Sequence, residues 1–109
     1  MQLELRCYRV ESSAALKQQA LRLAQFGLAR FSTKVVAVTI RLSDTNGPRG
    51  GEDKKCRILV RMADGNLLAV EELGVDANAA LGRAARRVVH TVGRHLAQSH
   101  STRRPEPEP

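Results

Sequence analysis

The side chains best placed to do chemistry crowd into GRAARRVVHTVGRHLAQSH, residues 82–100, which holds four arginines and three histidines and no carboxylate. No Asp or Glu occurs between Asp76 and Glu106, so Arg83, Arg86, Arg87, Arg94, Arg103 and Arg104 have no acidic neighbour along the chain. On a helix turning about 100° per residue, Arg83, Arg87, His90 and Arg94 fall within one narrow arc, with Arg86 at its edge. Such a ridge suits a polyanion, because ordinary solvated faces mix the two signs. The plain alternative is a solvated face, part of whose charge complements the helix C-terminus. A smaller version comes earlier: Arg22, Phe26 and Arg30 recur at i, i+4, i+8, so a phenyl ring could stack on an unpaired base while guanidinium groups meet phosphates. The other reading of Phe26 is an exposed ring touching a loop.

Catalytic and metal chemistry find no footing. His90, His95 and His100 are spaced by five, which spreads them around a helix, whereas metal-binding pairs favour i, i+4. No Gly-rich phosphate loop follows a strand, no Ser or Cys nucleophile has an identifiable base, and no carboxylate pair shares an element. GPRGG lies in a loop with no helix behind it. The expectation is a binding protein with no catalytic residue, no metal and no cofactor.

The elements that must position these side chains follow from periodicity. QLELR (2–6) alternates and reads as a strand with Leu3 and Leu5 inward. Ser12 or Ser13 caps a helix over roughly 13–31, with Leu16, Ala20, Leu23, Gly27 and Phe31 as its buried stripe. KVVAVTIRLS (34–43) is a half-buried strand in which Val36, Val38, Ile40 and Leu42 share one face. DTNGPRGGEDKK (44–55) is a long mobile loop. CRILVRM (56–62) and LLAVEE (67–72) form a hairpin around Asp64-Gly65-Asn66. Arg41, Arg57 and Arg61 point away from the helices; they could line a second basic surface, but are read as keeping the open sheet face soluble. Asp76 caps a second helix through about 98, with Leu81, Ala85, Val88, Val92 and Leu96 as its core face. Gly82 and Gly93 on that helix would be tolerated where a neighbouring helix or an RNA backbone approaches closely. The expected fold is α+β, ordered β-α-β-β-β-α, with two helices on one face of a four-stranded sheet. The first two strands would be parallel. Residues 1–100 make one domain and STRRPEPEP (101–109) a disordered tail.

Composition agrees. The 109 residues carry a formal net charge of +7, and Tyr8, Phe26 and Phe31 are the only aromatics, so Leu, Val, Ile and Ala must build the core. A surplus of that size fits nucleic acid or an anionic surface. MQLELRCYRVE lacks the apolar run of a signal peptide, and the window 14–31 is broken by Lys17, Arg22 and Arg30. No membrane span is expected, and the cytoplasm is the default location. Cys7 and Cys56 read as reduced thiols, a disulfide being the other possibility.

The opening MQLELRCYRVESSAALKQQALRLAQF resembles the start of the bacterial ribosome hibernation factors. These are the short hibernation-promoting factor and the related ribosome-associated translation inhibitor, also called sigma-factor modulation proteins. VVAVTIRLS, DGNLLAVEE and VDANAAL are similar to later segments of that family, so the resemblance covers about residues 1–97. It implies the same β-α-β-β-β-α fold, related to double-stranded-RNA-binding domains. It also implies occupation of the mRNA and tRNA channel of the small ribosomal subunit, which silences idle ribosomes. On this resemblance Arg22 takes the place of a family lysine, and Arg87, His90 and Arg94 take basic sites that contact ribosomal RNA. The chain departs in having Asn78 where the family has an aromatic residue, and Arg-rich, acid-free helices where the family mixes Lys and Asp. The expected partners are the small subunit and its rRNA, with no membrane and no small-molecule substrate. Two other readings stay open: an adaptor that offers its ridge to an acidic protein, and a general binder of structured RNA.

Overall fold

Period-two alternation gives four strands, and the registers between them decide what shares a face. The computed structural model describes residues 1–11, 13–44 and 53–103, and side chains as far as Gln98 in the last helix. Its elements are β1 (Gln2–Tyr8), α1 (Ala14–Gly27), a 3-10 turn at Ala29–Phe31, β2 (Val35–Asp44), β3 (Lys54–Met62), β4 (Leu67–Gly74) and α2 (Ala77–Arg103). The strands lie in the order β1-β2-β3-β4, with β1 parallel to β2 and the other two pairings antiparallel. This is the α+β, β-α-β-β-β-α arrangement that the periodicity predicts. One face of the sheet carries Val38, Ile40, Leu42, Cys56, Ile58 and Val60, all buried. They form a single cluster with Leu16, Ala20, Ala24 and Leu28 from the first helical segment and Leu81, Ala84, Val88 and Val92 from α2. Each fully buried Leu, Ile or Val contributes about 1.5–3 kcal/mol, which makes this layer the main source of stability.

Local signals account for the boundaries. Ser13 Oγ accepts the Leu16 amide at 3.1 Å and so caps α1; Ser12, the other candidate, lies outside the described residues. Asp76 Oδ1 accepts the Ala79 amide at 2.7 Å at the start of α2. Gly65 adopts φ 92° in the β3–β4 turn, a left-handed conformation that suits glycine, and Asp64 Oδ1 accepts the Asn66 amide at 2.9 Å. At the other end of β3, Lys54 Nζ lies 3.0 Å from Asp53 and 3.4 Å from Asp44, clasping the base of the 45–52 segment. The Asp53 carboxylate, with Asp44 beside it, raises the Lys54 ammonium above the ordinary lysine range. The expected long mobile loop itself lies outside the described residues.

Three expectations are corrected. The first helix stops at Gly27, and Leu28, at φ −104° and ψ 10°, leads into the 3-10 turn. Its deepest residues are Leu16, Ala20, Ala24 and Leu28, while Leu23 and Phe31 are only partly buried against the core. At the helix end a Cβ on Gly27 would sit 2.8 Å from Val89 Cγ2. The end of α1 meets α2 there, and a side chain at 27 would need Val89 to shift. In β2 a register shift between Val35 and Ala37 turns Val35 inward, 3 % exposed, and leaves Val36 47 % exposed, the reverse of simple alternation. Finally, α2 runs to Arg103, past the expected end near residue 98. Residues 104–109 of the expected tail, Arg104 among them, and the side chains of His100 and Arg103 lie outside the description.

Cys7, half-buried, and Cys56, buried, are both free. Cys7 pairs with Leu42 and Leu42 with Cys56, so one strand separates the two thiols. Two strand spacings amount to roughly 10 Å, beyond the ~7 Å Cα separation that a disulfide tolerates. Burial pushes the Cys56 thiol up to about 12, which keeps it protonated and unreactive.

Candidate nucleic-acid interface

The ridge on α2 exists, and it divides in two. Arg83, Arg86, Arg87, His90 and Arg94 are exposed, while Ala80, Leu81, Ala84, Ala85, Val88 and Val92 are buried on the opposite side. The arginines of the first half turn to β4. Arg87 Nη1 donates to Glu72 Oε2 at 2.6 Å, and Arg83 Nη1 donates to the Leu73 carbonyl at 2.7 Å. Arg87 and Arg83 therefore do have partners, supplied by the strand just before α2. With the Arg87 side chain 59 % exposed, its ion pair is worth no more than about 1 kcal/mol, but it fixes where the guanidinium points.

The second half faces the end of the first helical segment. Arg30, Phe31, Val89, His90, Gly93 and Arg94 line an open cleft of about 420 Å³. Because α1 ends at Gly27, Arg30 does not continue the Arg22–Phe26 line. The 3-10 turn delivers it to this cleft instead, with its guanidinium 4.7 Å from the centre of the Phe31 ring. That stacking holds Arg30 flat while leaving its N–H edges open to an acceptor. Arg22 remains on the exposed side of α1, and Phe26 is 75 % exposed near the helix end. A phenyl ring that open presents a face for stacking. Among the described residues, Arg22, Arg30, Arg86 and Arg94 make no ion pair with a carboxylate. The helical layer thus combines four unpaired guanidinium groups, a histidine and an exposed ring, which together fit phosphates and unstacked bases.

Periodicity did not reveal Phe31, Val89 and Gly93 as walls of this cleft. Its spacing puts Phe31 in the core stripe of the expected first helix, and Val89 and Gly93 lie at i, i+4 on the side of α2 turned toward α1. A Cβ on Gly93 would meet Phe31 Cζ at 3.5 Å, an ordinary contact, and one on Gly82 would come only within 3.8 Å of Arg86 Nη1. Neither position is therefore a site of forced close approach; that role falls to Gly74, whose Cβ would meet the Ala80 backbone.

His95 stands apart from the ridge. Its Nε2 lies 2.9 Å from Asp64 Oδ2, tying α2 to the β3–β4 turn. The Asn66 amide, and after it His95, lower the Asp64 carboxyl to about 2. Among the described residues no three His, Cys, Asp or Glu side chains gather as metal ligands. None of the described helices is long and apolar enough to cross a membrane.

No family model matches the chain, and no curated protein does. Solved structures do. The chain is similar to the N-terminal domain of Protein Y from Thermus thermophilus, with a TM-score of 0.71 and 25% identity over 87% of this chain and 99% of that one. It is also similar to a ribosomal subunit interface protein from Coxiella burnetii, with a TM-score of 0.68 over 89% of this chain and 99% of the other. The second pair is 14% identical, a likeness of fold alone.

Proposed function

We propose that this chain, which resembles the ribosome hibernation factors both in sequence pattern and in structure, binds the small ribosomal subunit and blocks its mRNA and tRNA channel. The observation that carries the reading is the match to nearly the whole N-terminal domain of Protein Y. The free cations of the helical layer supply the chemistry such a role needs. Arg30 and Arg94, facing one cleft, take rRNA phosphates; Arg22 and Arg86 extend the contact along both helices; Phe26 stacks on an unpaired base. Arg83 and Arg87 sit at the β4 side of the same surface, with His90 between the two groups. The factor acts by occupancy, as a non-enzymatic cytoplasmic protein whose residues 1–100 form one binding domain, and translation stops because mRNA and tRNA are excluded.

The test is co-sedimentation of the purified chain with isolated small subunits, across a salt series and against competing tRNA. Saturable one-to-one binding relieved by tRNA is the expected result. Weak, non-saturable binding that any RNA removes would leave a general RNA binder. Binding that an acidic protein displaces as readily as RNA does would favour an adaptor.

A further inference from the structure

The face of the sheet turned away from the helices carries a second basic surface. The strand registers place Arg6 opposite Arg41 and Arg41 opposite Arg57, with Glu71 next in line on β4. Three guanidinium groups therefore stand in one row across adjacent strands, over roughly 10 Å. Like charges directly opposite each other destabilise a sheet, and mixed signs would keep the face equally soluble. Local acids answer the row only at its ends. Arg6 meets Glu4 at 3.1 Å and Arg57 meets Glu71 at 3.1 Å, whereas Arg41, between them, has no ion pair among the described residues. Arg57 Nε is buried with no hydrogen-bond partner. Lys55 adds a further cation beside Glu71, 3.9 Å away.

An aromatic ring flanks the row. Tyr8 is 65 % exposed on the same face, two residues beyond Arg6 in β1. Arg9 follows in a left-handed conformation, φ 60°, and its guanidinium lies 5.3 Å from the centre of the Tyr8 ring. A shallow groove of about 510 Å³ runs past these side chains, in the size range of small-ligand sites. We infer that this open sheet face is a second RNA-binding surface, one that takes a single-stranded segment with its phosphates along Arg6, Arg41 and Arg57 and a base against Tyr8. Acidic peptide would satisfy the cations and leave the exposed ring without a role. A duplex would present phosphates but no free base face. A single strand offers both, and strand-tracking cations beside a stacking ring are the usual means of holding one. The surface lies on the opposite side of the sheet from the helical ridge, so it goes beyond the proposed occupancy of the ribosome and does not depend on it.

The experiment is fluorescence anisotropy of a labelled oligouridylate of about 12 nucleotides with the full chain, at about 50 mM salt. The variants are Arg41→Glu, Tyr8→Ala and the helix-face double Arg30→Gln/Arg94→Gln. Arg41→Glu is expected to weaken binding about tenfold or more, and Tyr8→Ala about fivefold or more, with the double variant, whose arginines also attract phosphate, losing less than either. A carboxylate at position 41 would lie between two arginines, so this variant melts at or above the parent temperature. Loss of binding there cannot be unfolding. Absence of binding by the parent, unchanged binding by Arg41→Glu, an equal loss in the helix-face double, or equally effective competition by polyglutamate would each overturn the inference. An Arg41→Glu chain that loses the oligonucleotide yet still co-sediments with small subunits would uphold this inference separately from the proposed function.

Discussion

Changing Arg30 and Arg94 together to glutamine is expected to remove about half of the electrostatic drive of the helical face toward RNA. The magnitude follows from which cations the fold leaves unpaired. Arg87 is held by Glu72 and Arg83 by the Leu73 carbonyl. Arg22, Arg30, Arg86 and Arg94 remain as full phosphate partners. Each phosphate neutralised contributes about −0.7 to −0.9 to the slope of log affinity against log salt, so four give about −2.8 to −3.6. Between about 50 and 200 mM salt the parent then loses roughly 50- to 150-fold in affinity. The double variant keeps two contacts and a slope of about −1.4 to −1.8, a loss of roughly 7- to 12-fold over the same range. All the substituted groups are exposed, so stability changes by no more than about 0.5 kcal/mol and a melting curve separates weak binding from misfolding. Co-sedimentation with small subunits at four salt concentrations measures both slopes. Arg87→Gln alone serves as the comparator and changes the slope less than Arg94→Gln, since Glu72 already answers Arg87. A double variant with the parental slope, or Arg87→Gln with the larger effect, would refute the assignment of the second half of the ridge as the contact.

Four further outcomes are expected. A Cβ at position 74 would lie 2.4 Å from the Ala80 backbone nitrogen, so Gly74→Ala lowers stability by about 2 kcal/mol or more in thermal melts. Gly27→Ala costs less, because Val89 can rotate its methyl away and alanine gains about 1 kcal/mol of helix propensity. The Asp64 carboxyl sits at about 2 in the fold against an ordinary 3.8, so its contribution is present above about pH 4 and lost as the pH falls toward 2. Asp64→Asn is therefore less stable than the parent at neutral pH in urea unfolding, and the gap closes between about pH 4 and 2; a gap constant over that range would exclude the His95 and Asn66 contacts as its origin. Asp76→Ala removes the acceptor of the Ala79 amide and costs about 1 kcal/mol, measurable as a shifted denaturation midpoint.

Much of this architecture is written locally. The Asp64-Gly65-Asn66 turn, the caps at Ser13 and Asp76 and the alternation of Cys56, Ile58, Val60 and Met62 each depend on a few neighbouring residues, and each is found where expected. The misreadings depend on contacts made across the fold. AQFGLARF continues a helical pattern with no proline to stop it, yet α1 ends at its glycine, where the chain meets Val89 of α2. The burial of Val35 over Val36 depends on a bulge against β3. The ridge on α2 was legible because a helix face is a property of spacing, but its division was not, since Glu72 and Leu73 belong to β4. Likewise Arg41 and Arg57 were seen on the open face, while their alignment with Arg6 is a matter of register between strands far apart in the chain.

The parallel pairing of β1 with β2 bears on the order in which the domain assembles. Gln2 pairs with Ala37 and Tyr8 with Ser43, so β1 has nothing to bond to until β2 has been made. By contrast β2, β3 and β4 follow one another as antiparallel neighbours, and α2 comes directly after them. Residues 35–103 can therefore close their contacts in sequence, with little loop entropy lost at each step. A growing chain must carry β1 uncovered until β2 has been made, and the apolar stripe of α1 until the sheet and α2 follow, although both are made first. The strand that is earliest in time must therefore wait for β2, its one neighbour in the sheet, before it can dock.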